Sequence, residues 1–268
     1  MVDKERTELI DLVKKVAELG GESALKFFRD PKLTVDNKNL RTFDPVTEAD
    51  LASEVAMTNF IRTVRPDDSI VGEETGFTVG SSPYTWVLDP IDGTRAFISG
   101  APVWTVLVSV NKDHKPILGA IYQPYTREML IGGLGVSKFI RGEFISKIKV
   151  KSCSSMGDAI LFSTFPEVGT APERKIFNMV SKRVRLTRFG MDAYAFGLLA
   201  NGHIDIVMEA GLKSYDICAP IAVIEAAGGL VTDWAGKKIV SGGKVLACGD
   251  KKLHMELIDF IASMDDKT

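Results

Sequence analysis

Four β-rich segments follow one another between residues 103 and 143, and they constrain the fold more than any other feature of the chain. The segments read VWTVLVSVN, PILGAIYQP, REMLIGG and SKFIRGE. Runs rich in β-branched and aromatic residues, separated by short turns, are typical of consecutive strands in a sheet. The pattern therefore predicts a mainly antiparallel meander in the first half of the chain.

The segments around this meander predict helices and further strands. Apolar residues at helical spacing predict an amphipathic helix over about 5–28, loosened at Gly20 and Gly21. Thr47 followed by Asp50 resembles a capping box, so a second helix is expected to run to about Val64. Beyond residue 150, strands are predicted at AILFST, RVRLTR, HIDIVME and KVLACG, and helices over 172–181, 193–200, 217–227 and 253–262. We divide the chain softly into halves, 1–150 and 151–268, which share an interface and form one continuous unit.

Charge and cysteine content exclude several classes of protein. The 268 residues carry a net charge of −2, which gives no electrostatic reason to expect nucleic acid or a membrane surface as a partner. Cys153, Cys218 and Cys248 are widely spaced, which argues against a disulfide framework and a zinc site and favours a reducing cytoplasm. Neither a signal peptide nor an apolar run long enough to span a bilayer is evident, so a soluble intracellular protein is expected.

An acidic segment without basic residues gives the strongest indication of chemistry. Residues 66–94 contain six acids and no Lys or Arg. Glu73 and Glu74 follow the short apolar run SIVG, and Asp89 and Asp92 follow the run WVL, with Pro90 and Gly93 expected to turn the chain at the strand end. Neighbouring strands could bring these carboxylates to one sheet edge, where they would need a cation or raised pKa values. Oxygen ligands select hard cations such as Mg²⁺.

Two further acids have both a structural and a chemical interpretation. Asp216 opens the apparent helix DICAPIAVIEAAGG, where it can act as a helix cap, but a carboxylate at a helix start can also face a cleft. Asp50 can likewise cap its own helix.

The motifs of other catalytic classes are missing from the sequence, since there is no G-x-S-x-G elbow, P-loop or dinucleotide fingerprint. The three histidines, His114, His203 and His254, are isolated on polar or turn-like segments, so each is expected at the surface or beside the site, and no imidazole general base is expected.

Four ordered segments resemble the motifs of the inositol monophosphatase superfamily, which comprises Mg²⁺-dependent, lithium-sensitive phosphomonoesterases. They are DPVTEAD (44–50), GEE (72–74), DPIDGT (89–94) and SYDICAPIAVIEAAGG (214–229). The likeness spans nearly the whole chain, with Tyr215 where many members have Trp. It implies an α/β (α+β) fold, a layered αβαβα sandwich of the inositol monophosphatase and fructose-1,6-bisphosphatase type. It also implies a homodimer that hydrolyses a phosphate monoester.

The resemblance also assigns roles to individual residues. Glu73, Asp89 and the carbonyl of Ile91 would bind a first Mg²⁺, and Asp89, Asp92 and Asp216 would bind a second, with Asp89 bridging the two. A three-metal scheme uses Glu73 for a further, weaker ion. Thr94 and Glu73 would orient the nucleophilic water, and Asp50 would hydrogen-bond Thr94. Gly93 and Thr94 would meet the phosphate, although Gly93 also suits a simple turn.

The substrate is the least constrained part of this interpretation. The stretch from Arg188 to Asp216 resembles the histidinol-phosphatase branch, in which Asp192 could hold a substrate ammonium and Glu209 its polar head. Alternatively, Asp192 is a helix cap and Glu209 is a solvated strand end. Met191 and Ala193 differ from the Gly and Cys expected in that branch. The other candidates are an inositol 1-phosphate or broader sugar-phosphate phosphatase, and a regulatory protein that binds RNA polymerase or ribosome-associated factors.

Overall fold

The computed structural model describes residues 3–38, 43 and 45–265, so Asp44 of the DPVTEAD segment lies outside the described residues. The helices are α1 (Asp3–Leu25), α2 (Glu48–Val64), α3 (Thr94–Ile98), α4 (Ala171–Ser181), α5 (Tyr194–Ala200), α6 (Ser214–Ala226) and α7 (Lys251–Asp265). The strands are β1 (Val35–Asn37), β2 (Pro45–Thr47), β3 (Ser69–Gly72), β4 (Gly76–Thr78), β5 (Tyr84–Asp92), β6 (Thr105–Lys112), β7 (Lys115–Gln123), β8 (Glu128–Gly133), β9 (Val136–Arg141), β10 (Phe144–Lys147), β11 (Ile160–Ser163), β12 (Leu186–Phe189), β13 (Ile206–Leu212), β14 (Leu230–Thr232) and β15 (Gly243–Cys248).

The layers alternate between helices and sheets. Helices α1 and α2 cover one face of an eight-stranded sheet whose order is β10-β9-β8-β7-β6-β5-β3-β4. Helices α5 and α6 lie between that sheet and a five-stranded one, β12-β11-β13-β15-β14, and α4 and α7 pack on the outer side. This is the predicted αβαβα sandwich. The division at residue 150 and the homodimer stay predictions.

The predicted meander is present, but the strand that precedes it is longer than expected. Strands β5 to β10 pair in sequence order, each antiparallel to the next. The sequence predicts that β5 ends at Pro90, but the strand continues to Asp92. Its pairing with β6 shifts register between Asp89 and Asp92. A proline cannot donate to the ladder and is tolerated where the pairing is interrupted. The irregularity therefore falls on the acidic motif itself.

Helix α1 is continuous through Gly20 and Gly21, where the sequence predicts a loosening. A Cβ on Gly20 would lie 2.7 Å from the sulfur of Met57, and one on Gly21 would lie 2.7 Å from Tyr122. The two glycines therefore allow α1 to approach α2 and the end of β7 closely. Helix α2 begins as predicted, with Thr47 as its N-cap and Asp50 completing the capping box. None of the helices in the described part is long and apolar enough to cross a membrane.

Helix α6 lies against the eight-stranded sheet at two glycines. A Cβ on Gly119 of β7 would be 2.5 Å from the carbonyl oxygen of Ala219, and one on Gly132 of β8 would be 2.6 Å from the Cα of Val223. Real Cβ atoms do not approach a neighbouring backbone this closely. The first turn of α6 carries Asp216, so this contact also sets how far that carboxylate stands from the sheet.

We expect Gly132→Ala to destabilise the protein by about 1–3 kcal/mol, because the new methyl group overpacks a backbone contact that cannot relax by rotating a side chain. The measurement is thermal unfolding. Gly157→Ala is the matched control, since a Cβ there would meet only the Ser155 hydroxyl oxygen, at 3.6 Å. Equal melting temperatures for the two variants would contradict this account of how α6 is seated.

Candidate active site

The acidic segments meet because β3 and β5 are parallel neighbours. Gly72 at the end of β3 is paired with Leu88 of β5, and the N–H of Glu73 donates to the carbonyl of Leu88 at 3.2 Å. Parallel strands end at the same edge of a sheet. Glu73 and Asp89 are therefore brought to one edge, as the sequence predicts.

Three carboxylates form the centre of the site. Oxygen atoms of Asp89, Asp92 and Asp216 lie within 4.8 Å of one another. Asp89 is only 1% exposed and is the most buried of the three. A main-chain N–H orients each carboxylate: that of Ile91 donates to Asp89 (3.1 Å), that of Ala193 to Asp92 (2.6 Å) and that of Lys213 to Asp216 (2.6 Å).

Asp216 combines the two roles left open by the sequence. It is the third residue of α6 rather than its first, and it closes a capping box by accepting from the N–H of Lys213. Its carboxylate also belongs to the acidic cluster. The first turn of α6 thus positions Asp216, which is the member of the cluster that comes from the second half of the chain.

Burial and mutual repulsion raise the pKa values of the clustered acids. Burial raises the pKa of Asp89 and of Asp92 well above the usual range, and neighbouring carboxylates raise both further. Burial is also the main cause that raises the pKa of Glu73 to about 7 and that of Asp216 to about 6. A bound divalent cation would relieve both the burial penalty and the repulsion. The donor set consists of carboxylates, which suits a hard cation.

Thr94, Asp50 and Ile91 form a hydrogen-bonded group beside the cluster. The Thr94 hydroxyl lies 3.2 Å from the carbonyl oxygen of Ile91 and 3.5 Å from Oδ1 of Asp50. Oδ2 of Asp50 accepts from the N–H and hydroxyl of Thr47, at 2.8 and 2.6 Å. Asp50 therefore caps α2 with one oxygen and faces Thr94 with the other.

Gly93 provides a turn and a close approach at the same time. Its φ of +83° lies in the left-handed region, and a Cβ there would be 3.0 Å from the Asp192 side chain. Asp192 does not cap α5, whose N-cap is Ala193 without a side-chain bond. Burial raises the pKa of Asp192 to about 6, although the charge of Arg95 lowers it.

Glu209 is not a solvated strand end. It lies within β13, is 6% exposed, and accepts from Ser163 Oγ (3.2 Å), Thr164 N–H (2.6 Å) and Thr164 Oγ1 (3.0 Å). Both Glu209 and Asp192 line an open cleft of about 380 Å³ that also contains Glu73, Asp92, Gly93, Thr94 and Asp216. The predicted phosphate-binding and substrate-binding residues thus border one cleft.

Several residues at the site have no sequence signal of their own. Lys38 bonds Glu73 at 3.1 Å and Glu74 at 2.6 Å; burial lowers its pKa, but these two carboxylates outweigh burial and raise it. The guanidinium carbon of Arg95, at the cleft, lies 5.7 Å from the ring centroid of Phe43 and 4.7 Å from that of Phe165. Lys38 is distant in sequence from the acids it meets, and Arg95 is distant from Phe165, so only the folded chain brings them together.

Asp67 and Asp68 of the 66–94 segment lie away from both the cluster and the adjacent Glu73 and Glu74. Asp67 is exposed and Asp68 is buried, and both precede β3, whereas Glu73 follows it. Asp68 accepts from Arg65 Nε (2.9 Å), Ser82 Oγ (2.6 Å) and Trp86 Nε1 (2.9 Å), so its role is structural. Of the histidines, His254 is buried against Thr232 rather than at the surface or beside the site.

Comparison with known proteins assigns the chain to a family. The sequence profile of the inositol monophosphatase family matches residues 5–264. The chain belongs to this family. A bifunctional phosphatase of Arabidopsis thaliana, IMPL2, is 38% identical over 91% of this chain and 72% of its own length. A histidinol-phosphatase of Mycobacterium tuberculosis is 32% identical over 84% of this chain and 87% of its own.

A solved structure gives the same assignment. An inositol monophosphatase from Zymomonas mobilis superposes with a TM-score of 0.84 at 34% identity, covering 96% of this chain and 98% of its own. The family is one of metal-dependent phosphatases that act on small-molecule phosphates. The protein is therefore a phosphatase of the inositol monophosphatase family, and its acidic cluster provides ligands suited to a metal ion.

The buried Glu209 predicts a measurable dependence of stability on pH. Burial is the main cause that raises its pKa from 4.5 to about 7, although bonds from Thr164 and Ser163 lower it. Between these two values the folded state holds more protons than the unfolded state, so the contribution of Glu209 to stability falls as pH rises. Relative to Glu209→Gln, the free energy of unfolding of the wild type should fall by on the order of 3 kcal/mol from pH 4.5 to 7. A constant or rising difference in denaturant titrations would contradict this.

Proposed function

We propose that the protein is an Mg²⁺-dependent phosphatase that hydrolyses histidinol phosphate to histidinol and inorganic phosphate. The convergence of Asp89, Asp92 and Asp216 supports the metal-dependent part of this proposal. The half-buried Asp192 beside Gly93, in the same cleft, supports the choice of an amine-bearing substrate. The similarity to a protein named histidinol-phosphatase agrees with that choice.

The metal ligands are proposed as the sequence motifs imply. Glu73, Asp89 and the carbonyl of Ile91 would hold one ion, and Asp89, Asp92 and Asp216 would hold a second, with Glu73 able to contribute to a weaker third. Bound Mg²⁺ would supply positive charge to the phosphoryl oxygens and lower the pKa of a bound water. Repulsion among these buried and half-buried carboxylates favours such occupancy.

The remaining residues would orient the attacking water and the phosphate, either directly or through a neighbouring side chain. Glu73 and Thr94 would orient the water that attacks phosphorus, and Asp50 would fix the Thr94 hydroxyl by accepting a hydrogen bond from it. The water oxygen forms a bond to phosphorus as the ester P–O bond breaks. The leaving alkoxide takes up a proton, and the proton of the attacking water passes to the solvent or to a neighbouring carboxylate. Gly93 allows the phosphate to approach the backbone.

We expect Asp89→Asn to abolish phosphatase activity, because it removes a negative charge from the carboxylate shared by both proposed ions. Excess chelator should abolish the activity of the wild type, and added Mg²⁺ should restore it. The measurement is phosphate release from histidinol phosphate. Asp67→Asn is the matched control, since Asp67 is exposed and lies before β3. Full activity in chelator, or in Asp89→Asn, would overturn the proposed mechanism.

Substrate choice should depend on Asp192 more than on the metal ligands, because those ligands meet only the phosphate that all candidate substrates share. Losing one charge-assisted hydrogen bond to a substrate ammonium costs on the order of 1.5–3 kcal/mol, or about ten- to a hundredfold. Asp192→Asn should therefore lower kcat/KM for histidinol phosphate by about that factor. Hydrolysis of p-nitrophenyl phosphate should change little.

The second candidate is an inositol 1-phosphate or broader sugar-phosphate phosphatase, which the similarity to the Zymomonas mobilis enzyme favours. Glu209 has three protein donors already, so its proposed contact with the substrate uses the acceptor capacity that remains. Better wild-type turnover of inositol 1-phosphate than of histidinol phosphate would favour this candidate. Equal losses on both substrates in Asp192→Asn would assign Asp192 to the fold or the metal site.

A further inference from the structure

Glu54 is a fully buried glutamate in α2, one turn after Asp50 and on the same face of the helix. Its relative exposure is 0%. A buried carboxylate must be paired or hydrogen-bonded, since its removal from water is otherwise costly. The partners of Glu54 therefore show which part of the structure it fixes.

Three donors satisfy Glu54, and all of them come from the two residues that follow Glu73. The N–H of Glu74 donates to Oε2 at 2.9 Å, and the N–H of Thr75 donates to Oε1 at 2.7 Å. The hydroxyl of Thr75 donates to Oε1 at 2.5 Å. Hydrogen bonds to an ionised acceptor are shorter and stronger than neutral ones. Glu54 thus holds the chain immediately after Glu73.

Gly72 shows that the same carboxylate also contacts the chain immediately before Glu73. A Cβ on Gly72 would lie 2.1 Å from Oε1 and 2.4 Å from Cδ of Glu54. The φ angle of Gly72 is not positive, so the backbone conformation does not require glycine here. The space taken by the Glu54 carboxylate is what excludes a side chain at this position.

These contacts bracket Glu73 from both sides. Its own N–H is bonded to Leu88 of β5, so three neighbouring points of the backbone are fixed. One helix face therefore supports two segments of the site: Asp50 faces Thr94 after β5, and Glu54 binds the residues after β3. Glu54 itself is not one of the clustered carboxylates.

We propose that Glu54 is a positioning residue that holds the Glu73 carboxylate in place for binding a divalent cation. The inference rests on the proposed function, because it takes Glu73 to be a metal ligand. It assigns Glu54 no contact with metal or substrate. Outer-shell partners that orient a ligand typically change metal affinity about ten- to a hundredfold when mutated.

The test measures Mn²⁺ binding directly, through the electron paramagnetic resonance signal of free Mn²⁺, in the wild type and in Glu54→Gln. The amide has one acceptor oxygen, so its NH₂ group faces the N–H donor of either Glu74 or Thr75, and the segment must shift. We expect Mn²⁺ affinity to fall about ten- to a hundredfold. The Mg²⁺ concentration for half-maximal activity should rise by a similar factor, with little change in the KM for the phosphate ester.

Thr75→Val serves as a milder variant, because Thr75 is exposed and valine has nearly the same shape. It removes one donor and should weaken Mn²⁺ binding by at least about threefold.

Asp68→Asn is the matched control. Asp68 is a buried carboxylate with three side-chain donors that lies before β3 rather than after it, so its variant should lower the melting temperature and leave Mn²⁺ affinity unchanged.

Wild-type Mn²⁺ affinity in Thr75→Val, or in folded Glu54→Gln, would show that Glu54 only stabilises the fold and would overturn the proposal. A weakening of the same size in Asp68→Asn would overturn it too, since general destabilisation would then explain the loss. Absence of Mn²⁺ binding by the wild type would instead refute the proposed function, and this inference with it. The two failures are therefore distinguished by the wild-type titration.

Discussion

Repulsion among crowded carboxylates, of which one is buried and two are half-buried, is the constraint on which the rest of this structure depends. Asp89, Asp92 and Asp216 bring oxygen atoms within 4.8 Å of one another, and burial raises the pKa of each. Such an arrangement is unfavourable unless rigid elements impose it and nearby donors offset it. Here each of the three accepts a main-chain N–H, and Lys38 pairs with the adjacent Glu73 and Glu74. The protein thus maintains a concentration of negative charge suited to a divalent cation.

The layered fold supplies the rigid elements. Among the described strands of the eight-stranded sheet, β3 and β5 form the one parallel pair, and this pairing places Glu73 beside Asp89. Helix α6 brings Asp216 from the other half of the chain and is seated through glycines of β7 and β8. Helix α2 adds no carboxylate to the cluster, but its buried Asp50 and Glu54 hold the segments that follow β5 and β3.

Much of the fold and part of the acidic site could be predicted from the sequence, because local sequence patterns indicate local structure. The meander, the capping box at Thr47 and the acids after two apolar runs are visible in short segments. The interrupted pairing at Pro90 was not predicted, since a proline normally indicates a strand end. Glu54 and Lys38 could not be found in this way: each is one charged residue among many, and its partners lie 20 or more positions away in the chain. Their roles follow only from tertiary contacts.

The central claim is that the convergent carboxylates form a divalent cation site, and a crystal structure grown with Mn²⁺ tests it most directly. Anomalous scattering from Mn²⁺ locates the ion without reference to activity. The account predicts a strong anomalous peak within coordination distance of Asp89, Asp92 and Asp216, with a second near Glu73 and the carbonyl of Ile91. At saturating Mn²⁺, peaks found only elsewhere, or no peak among these carboxylates, would contradict it.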